Sequence, residues 1–361
     1  MTVRFLASLS CLALTALASA QYTVTELGVL PGGGNSFGYK LNDDRMVVGF
    51  SESPQGARAF AWTPGGGMVN LGQLRNDPSS FGLALNELGR VVGYSGSGVM
   101  RTGFEWTAAG GMNDLGTFGS DEVSLALDVN ASGQIVGLSG DDGPTKRAFL
   151  FNPSTGMIDL GSVPGRTTSY ARGINGAGTV VGHSTGTDAL AFAWNSGTGM
   201  SVLPNMVGGS TSTAYSINSG GSIVGWTTDA SGKKRAALWQ PGGTLQVAID
   251  GGLAGVGGAE ALDINDHGQV VGFGLFNGQE RAFVYDPLLG SRRLDQVLGM
   301  AGSGWTFVRA QGINSHGDIV GYGLYNGQTR AFLASPVPEP ASGLALLGGA
   351  ALFRLKRRRN C

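Results

Sequence analysis

One pattern recurs seven times along the chain and restricts the folds open to it. An Asn is followed by four less regular positions, two β-branched or apolar residues and a Gly, as in Ile264-Asn265 through Val270-Val271-Gly272. The Asn positions are Asn42, Asn86, Asn130, Asn175, Asn218, Asn265 and Asn314. The closing glycines are Gly49, Gly93, Gly137, Gly182, Gly225, Gly272 and Gly321. The intervals are 44, 44, 45, 43, 47 and 49 residues. A fixed period of this size marks a repeat architecture, in which each unit buries its apolar face only against its neighbours. The 64 glycines of the 361 residues could otherwise signal a low-complexity chain. Their periodicity makes most of them turn and bulge residues.

Each repeat reads as four short strands. The first ends at the Asn. The residue before the Asn is always aliphatic, and the residue four before it is always small, from Gly38 and Gly82 to Ala261 and Ala310. Such a position marks the close approach of another backbone. Three residues after the Asn, six repeats have Gly, which fits a type I turn closed by a left-handed Gly with the Asn side chain capping it. Arg45 takes that place in the first repeat, so strain or a different turn is expected there. The second strand is the Val-Val-Gly segment, usually running into an aromatic such as Phe50, Tyr94 or Trp226. The third is Arg-Ala-Phe-x-Trp or a variant, with the alternation of a strand. The fourth is Gly-Met-x-x-Leu-Gly, as at Gly111 to Gly116.

Four strands in about 45 residues is one propeller blade. Tyr22 to Gly28 reads as a fourth strand with no blade before it, and the last repeat stops after its third strand, at Arg330 to Ala334. The N-terminal strand can therefore complete the last blade and remove two open sheet edges. The chain is expected to be all-β, a seven-bladed β-propeller of four-stranded blades over residues 21–335. An open solenoid would leave the split repeat unexplained.

The two ends read as addresses. Residues 1–20 carry Arg4, an apolar run and Ala18-Ser19-Ala20, the plan of a signal peptide with its cleavage site. Cys11 as a lipoprotein acylation site is a rival reading, but Ser8 stands where such a site usually has Leu. Cys11 and Cys361 are the two cysteines, and both fall in segments expected to be removed, so the body needs no disulfide. Residues 336–361 contain Pro338-Glu339-Pro340, a short apolar segment, and Arg354, Lys356, Arg357, Arg358 and Arg359. The apolar stretch is short for a bilayer span, and the basic stop suits a positive-inside orientation.

That order of parts closely resembles the PEP-CTERM sorting signal. The resemblance implies an exosortase-type processing enzyme as partner, transient membrane anchoring, and delivery to the cell surface or an exopolysaccharide matrix of a Gram-negative-type bacterium. The repeats resemble the extracellular HAF-repeat family through Gly-Met-x-Asp-Leu-Gly, Ile-Asn-x-x-Gly-x-Val-Val-Gly and the third-strand motif. Arg stands here in place of the family's His at Arg58, Arg147, Arg235, Arg281 and Arg330. This second resemblance implies an exported repeat protein and no particular activity.

Chemistry is sparse. The formal net charge is −1, and the body turns mildly acidic once Arg4 and the basic tail are set aside, which argues against nucleic acid. There are three histidines. His183 holds the aromatic position after Val-Val-Gly and reads as a packing substitute, while His267 and His316 read as solvated turn residues. No metal-ligand spacing, nucleophile elbow or phosphate loop is present. The densest acids are Asp121-Glu122 and Asp141-Asp142, on two loops of the third repeat that share a face. They are the candidate ligand-binding residues. No cofactor is required, and Ca²⁺ is the cation such carboxylates would suit; a solvated acidic surface is the plainer reading. Asp128 and Asp263 lie nearer the axis, where structural hydrogen bonding is expected before a channel-lining role. The recurrent arginines are expected to lay their stems along the blade with their heads at carbonyls or carboxylates. Trp62, Trp106, Trp194 and Trp239 are expected between blades.

The turns after the Asn keep one length, whereas the loops between second and third strands and those between blades vary. Both variable sets emerge on one face. A rigid scaffold with one variable face is a common plan for a binding surface. The sequence is therefore read as a non-enzymatic binding or scaffolding protein for exopolysaccharide or envelope proteins. A secreted carbohydrate-active hydrolase or lyase and a purely structural coat component are the alternatives.

Overall fold

The computed structural model describes residues 22–337, apart from 99, 142–144, 248, 251–252 and 254–255. The proposed leader and the sorting segment from Pro338 onward, with Glu339, Pro340, Arg354, Lys356, Arg357, Arg358 and Arg359, lie outside the described residues, as does Asp142. Seven antiparallel four-stranded sheets account for nearly all of the described chain. The first blade runs outward through Ser36–Leu41, Val47–Ser51, Arg58–Thr63 and Gly67–Asn70. The seventh combines Trp305–Ile313, Ile319–Tyr325 and Gln328–Pro336 with the N-terminal strand Tyr22–Glu26. Tyr22 pairs with Pro336 and Glu26 with Phe332, so the two ends of the body close one sheet. Tyr22–Pro336 is a single compact unit that contains every sheet and its own closure.

The Val-Val pair shows how the ring coheres. Val47 packs with Val320 and Ala331 of the seventh blade, and Val48 with Leu85 and Phe104 of the second. Adjacent residues of a strand point to opposite faces, and here both faces are covered. Ala59, Phe60, Ala61 and Trp62 are consequently all buried. The third strand alternates in size rather than polarity: Phe60 and Trp62 face one neighbour, Ala59 and Ala61 the other. Seven such interblade cores follow one another around the ring.

The invariant small residues have steric causes. A Cβ on Gly38 would stand 2.7 Å from Val320 and 3.2 Å from the carbonyl of Gly321 in the neighbouring blade. A Cβ on the closing Gly137 would stand 1.8 Å from the carbonyl of Leu125, and the other closing glycines meet their first strand at similar distances.

The turns after the Asn are alike in all seven blades. Each Asn carbonyl accepts from the amide three residues on, as in Gly89 to Asn86 at 3.0 Å, and each Asn Oδ1 accepts from the amide four residues on. The third residue has positive φ throughout, including Arg45 at 61°. Arg45 therefore keeps the common turn and carries the strain that Gly avoids elsewhere. The ion pair from its Nε to Asp318 Oδ2, 3.0 Å, ties it to the seventh blade.

The Asn side chains also form a belt not expected from the sequence. Each Nδ2 donates to the main-chain carbonyl of the next Asn around the ring. Asn86 reaches Asn130 at 3.0 Å, Asn130 reaches Asn175 at 3.1 Å, and Asn314 reaches Asn42 at 3.1 Å. Seven such bonds close the circle. One amide side chain thus caps its own turn with the oxygen and joins the next blade with the nitrogen.

On the opposite face, five blades carry hydroxyl pairs facing across their first two strands: Ser36–Ser51, Ser80–Ser95, Ser124–Ser139, Ser169–Ser184 and Ser212–Thr227. The first hydroxyl of each pair accepts an amide of the preceding blade, as Ala59 N to Ser80 Oγ at 3.0 Å. The sixth and seventh blades have Ala259–Gly274 and Phe307–Gly323 there instead. Their strands run on to tight turns at Asn277-Gly278 and Asn326-Gly327, with positive φ at all four residues. Trp305 stacks on Tyr325 at 4.7 Å beside the second of these turns.

Candidate functional site

Every first strand is interrupted between its small residue and its Asn. The register skips one residue, a β-bulge, at Tyr39, Leu83, Leu127, Arg172, Tyr215, Leu262 and Gln311. A bulged residue leaves the ladder, and the strand bends around it. Because the bulge falls on the innermost strand of every blade, all seven residues line one axial cavity of about 280 Å³. A second axial cavity, about 340 Å³, lies on the side of the Asn turns. Lys40 and Asp128 line both and stand at the waist. Sequence reasoning missed the bulged residues. Their signal was a position that changes character from blade to blade, one residue after a position that is always Gly or Ala.

A run of aromatics joins three neighbouring blades. Phe37 stacks on Phe50 at 4.6 Å and Phe81 on Tyr94 at 4.8 Å, with edge contacts from Tyr322 to Phe37 and from Phe50 to Phe81. This band crosses the seventh, first and second blades. The cavity wall carries charged residues as well. Arg309 pairs with Glu280 and lies 3.9 Å over the Phe273 ring. Lys234 pairs with Glu260 at 2.6 Å and sits over Trp226. Glu260 also accepts from the Tyr215 hydroxyl at 2.9 Å. Burial first, and then Glu260, push the Tyr215 phenol up to about 12.

At the waist, Lys40 Nζ lies 2.6 Å from Asp263 Oδ1. Burial pulls its ammonium down, but Asp263 and Asp128 outweigh that and leave it raised. Asp263 also accepts from Ser216 Oγ and the Ile313 amide, so it is both hydrogen-bonded and axial. Asp128 accepts from the Ile174 amide at 2.9 Å. Burial raises its carboxyl to about 6, with Lys40 opposing. His183 is buried and stacks on Tyr170 at 4.6 Å, in the packing role expected of it. Burial, and then Arg172, hold its imidazole down at about 3.

The loop acids are placed as follows. Both oxygens of Asp121 accept from Arg147 at 2.8 Å, and Oδ2 also accepts from Ser139 Oγ. Glu122 is exposed. Asp141 Oδ1 accepts from Thr145 Oγ1 at 2.8 Å. Among the described residues, no group of three or more His, Cys, Asp or Glu is placed to hold a metal. The recurrent arginines have the expected partners. Arg235 pairs with Asp250 and Arg330 with Glu26, while Arg58 donates to the carbonyls of Gln55, Ala57 and Pro78. Trp62 and Trp239 are buried, and Trp239 Nε1 donates to the Pro204 carbonyl at 2.8 Å. His267 and His316 are exposed on their turns.

The PEP-CTERM protein-sorting motif matches residues 336–360. No curated protein matches the chain by sequence. Among solved structures, virginiamycin B lyase from Staphylococcus aureus is similar with a TM-score of 0.56 at 9% identity, over 88% of this chain and 100% of that one. A streptogramin B lyase gives 0.54 at 9% identity, over 86% and 97%. YCF48 bound to D1 peptide gives 0.53 at 10% identity, over 90% and 98%. At these identities the likeness is one of fold alone. The chain is an exported seven-bladed propeller that carries a C-terminal sorting motif. Among the described residues no helix is long and apolar enough to cross a membrane.

Proposed function

We propose that this protein is a surface- or matrix-delivered binding or scaffolding propeller, not an enzyme, whose ligand is extracellular polysaccharide or an envelope protein. The carrying observation is the convergence of seven bulged side chains on one cavity. The Asn turns repeat from blade to blade, whereas this position holds Tyr, Leu, Arg or Gln. A uniform ring around a non-uniform pocket is the economy of a recognition scaffold. On this reading the loop face extends that pocket outward, and the acids Asp121, Glu122 and Asp141 supply one sector of the contact; Asp142, beside them in sequence, lies outside the described residues. The HAF-like repeats agree with an exported role, and exosortase-type processing near Pro338-Glu339-Pro340 would deliver the body to the surface or matrix.

One observation favours turnover instead. Asp128 presents a carboxyl raised to about 6 in the cavity wall, and a group that titrates near neutrality can serve as acid or base. On that reading the protein is a hydrolase or lyase acting on polysaccharide.

The test is a glycan and matrix-extract binding array on residues 22–336, with release of reducing and unsaturated sugar ends assayed in the same wells. Saturable binding without release is the expected result. Release that is lost in Asp128→Asn would establish the enzyme. Absence of both, together with self-association, would establish a structural coat component.

A further inference from the structure

The cationic groups around the axial cavity are not equivalent. Lys40 has Asp263, Arg309 has Glu280 and Lys234 has Glu260. Arg172 lines the same cavity and, among the described residues, pairs with no carboxylate. Its Nε donates to His183 Nδ1 at 3.2 Å. Its guanidinium carbon lies 5.1 Å over the Tyr215 ring. One edge and one face of the group are thus fixed by protein, and neither neighbour supplies a negative charge. The depressed pKa of His183 agrees with a neutral ring that accepts from Arg172. The two terminal nitrogens are left without a hydrogen-bond acceptor among the described residues. That edge is the one with which arginine grips a carboxylate through two parallel hydrogen bonds.

Burial pulls the Arg172 guanidinium down and the nearby Glu260 partly offsets that, but no carboxylate pairs with it among the described residues, so its terminal nitrogens stay available to a ligand anion. The surroundings narrow the anion. Tyr39 offers a ring face and a hydroxyl, Gln311 an amide, and Leu127 and Leu262 apolar wall, while Asp128 and Glu260 place carboxyl groups on the same lining, away from which a ligand carboxylate is directed to Arg172. The cavity of about 280 Å³ lies near the lower end of small-ligand sites. A ligand that matches has one carboxylate, several hydroxyls and an apolar ring face.

We infer that the axial cavity binds a uronic acid residue of an acidic polysaccharide, with its carboxylate on the terminal nitrogens of Arg172. This inference rests on the binding reading and narrows its ligand class.

The experiment titrates residues 22–336 with glucuronic and galacturonic acids, with glucose and galactose as neutral counterparts. N-acetylaspartate serves as a peptide-type carboxylate. Heat is measured alongside imidazole NMR signals of the three histidines. Uronate is expected to bind saturably, about tenfold or more tighter than the neutral sugars, the weight of one charge-assisted contact. The His183 resonances should move while those of His267 and His316 stay. Arg172→Met should lose that preference, and Arg172→Lys should recover part of it. Equal binding of charged and neutral sugars, absence of uronate binding, or a stationary His183 would overturn the site. N-acetylaspartate binding as tightly as uronate would overturn the sugar class. If Arg172→Met does not fold, the His183 response in the unaltered protein decides alone. Matrix-extract binding that persists without any uronate response would sink this site and keep the scaffold reading. Uronate binding without matrix-extract binding would do the reverse.

Discussion

Asn314 of the last blade donates its side-chain nitrogen to the carbonyl of Asn42 of the first, at 3.1 Å and 272 residues apart. The same Asn314 caps its own turn through Oδ1, accepting the Asp318 amide at 2.8 Å. Asn314→Ala removes both partners of buried groups and should cost about 1–3 kcal/mol. Asn42→Ala should cost less, because its bond to Asn86 is already long at 3.5 Å. Chemical denaturation of both variants checks this. Equal losses would mean that the belt bonds add nothing beyond the caps.

Closure by the N-terminal strand should be needed for solubility as well as stability. Deleting Tyr22–Glu26 bares the edge of the last strand from Phe332 to Pro336 and takes Tyr22 and Val24 from the core beside Phe332. An exposed edge recruits other chains. The truncated propeller should elute as dimers or larger species and melt earlier. A monomer with an unchanged melting temperature would contradict the proposed role of the strand.

Arg45 balances two opposed effects. Its positive φ of 61° is strained for a side chain with a Cβ, and Gly there would relieve about 1 kcal/mol. Arg45 also neutralises Asp318, whose side chain is fully buried. Arg45→Gly alone should therefore destabilise, because it strands a buried carboxylate. Arg45→Gly with Asp318→Asn should recover most of that loss. A double-mutant cycle by thermal unfolding measures the coupling, and additive effects would show that the ion pair is idle.

His183 should make the fold acid-sensitive. Its folded pKa is held down at about 3, below the ordinary 6.5, so the neutral ring is favoured by folding. That contribution is fully present above pH 6.5 and is lost as the pH falls toward 3. Between pH 7 and 4 the wild type should lose up to about 3 kcal/mol relative to His183→Phe. Phe keeps the stack on Tyr170 and cannot take a proton. Parallel stability curves for the two proteins would refute the assignment.

Asp128 should act in the opposite direction. Its folded pKa is raised from 3.8 to about 6, so folding favours the protonated carboxyl. The contribution is fully present below pH 3.8 and is lost as the pH rises through about 6. Asp128→Asn should therefore be more stable than wild type by about 1–2 kcal/mol at pH 7.5 and no different at pH 3.5. Lys40 retains Asp263 in the variant, so its charge stays paired. A variant equally or less stable at pH 7.5 would place the Asp128 carboxylate among the stabilising charges.

The sequence by itself determined the number of blades, the strands within each, the turn chemistry and the split repeat that closes the ring. These are written in local signals. A small residue, an aliphatic, an Asn and a left-handed Gly recur within about a dozen positions and reflect contacts made in every blade alike. The packing role of His183 was legible for the same reason, whereas the carboxylate and carbonyl partners of the recurrent arginines differ from blade to blade and only the structure assigns them. The Asn belt and the axial cavity were decided only by the tertiary structure. Asn86 and Asn130 are 44 residues apart, and nothing in either repeat says that one amide will reach the other's carbonyl. Tyr39, Arg172 and Tyr215 come from the first, fourth and fifth blades and share a cavity only because seven sheets close around one axis. A repeat records what each blade needs from its neighbours. What the blades enclose together depends on the positions where they differ, and those positions meet only once the ring has closed.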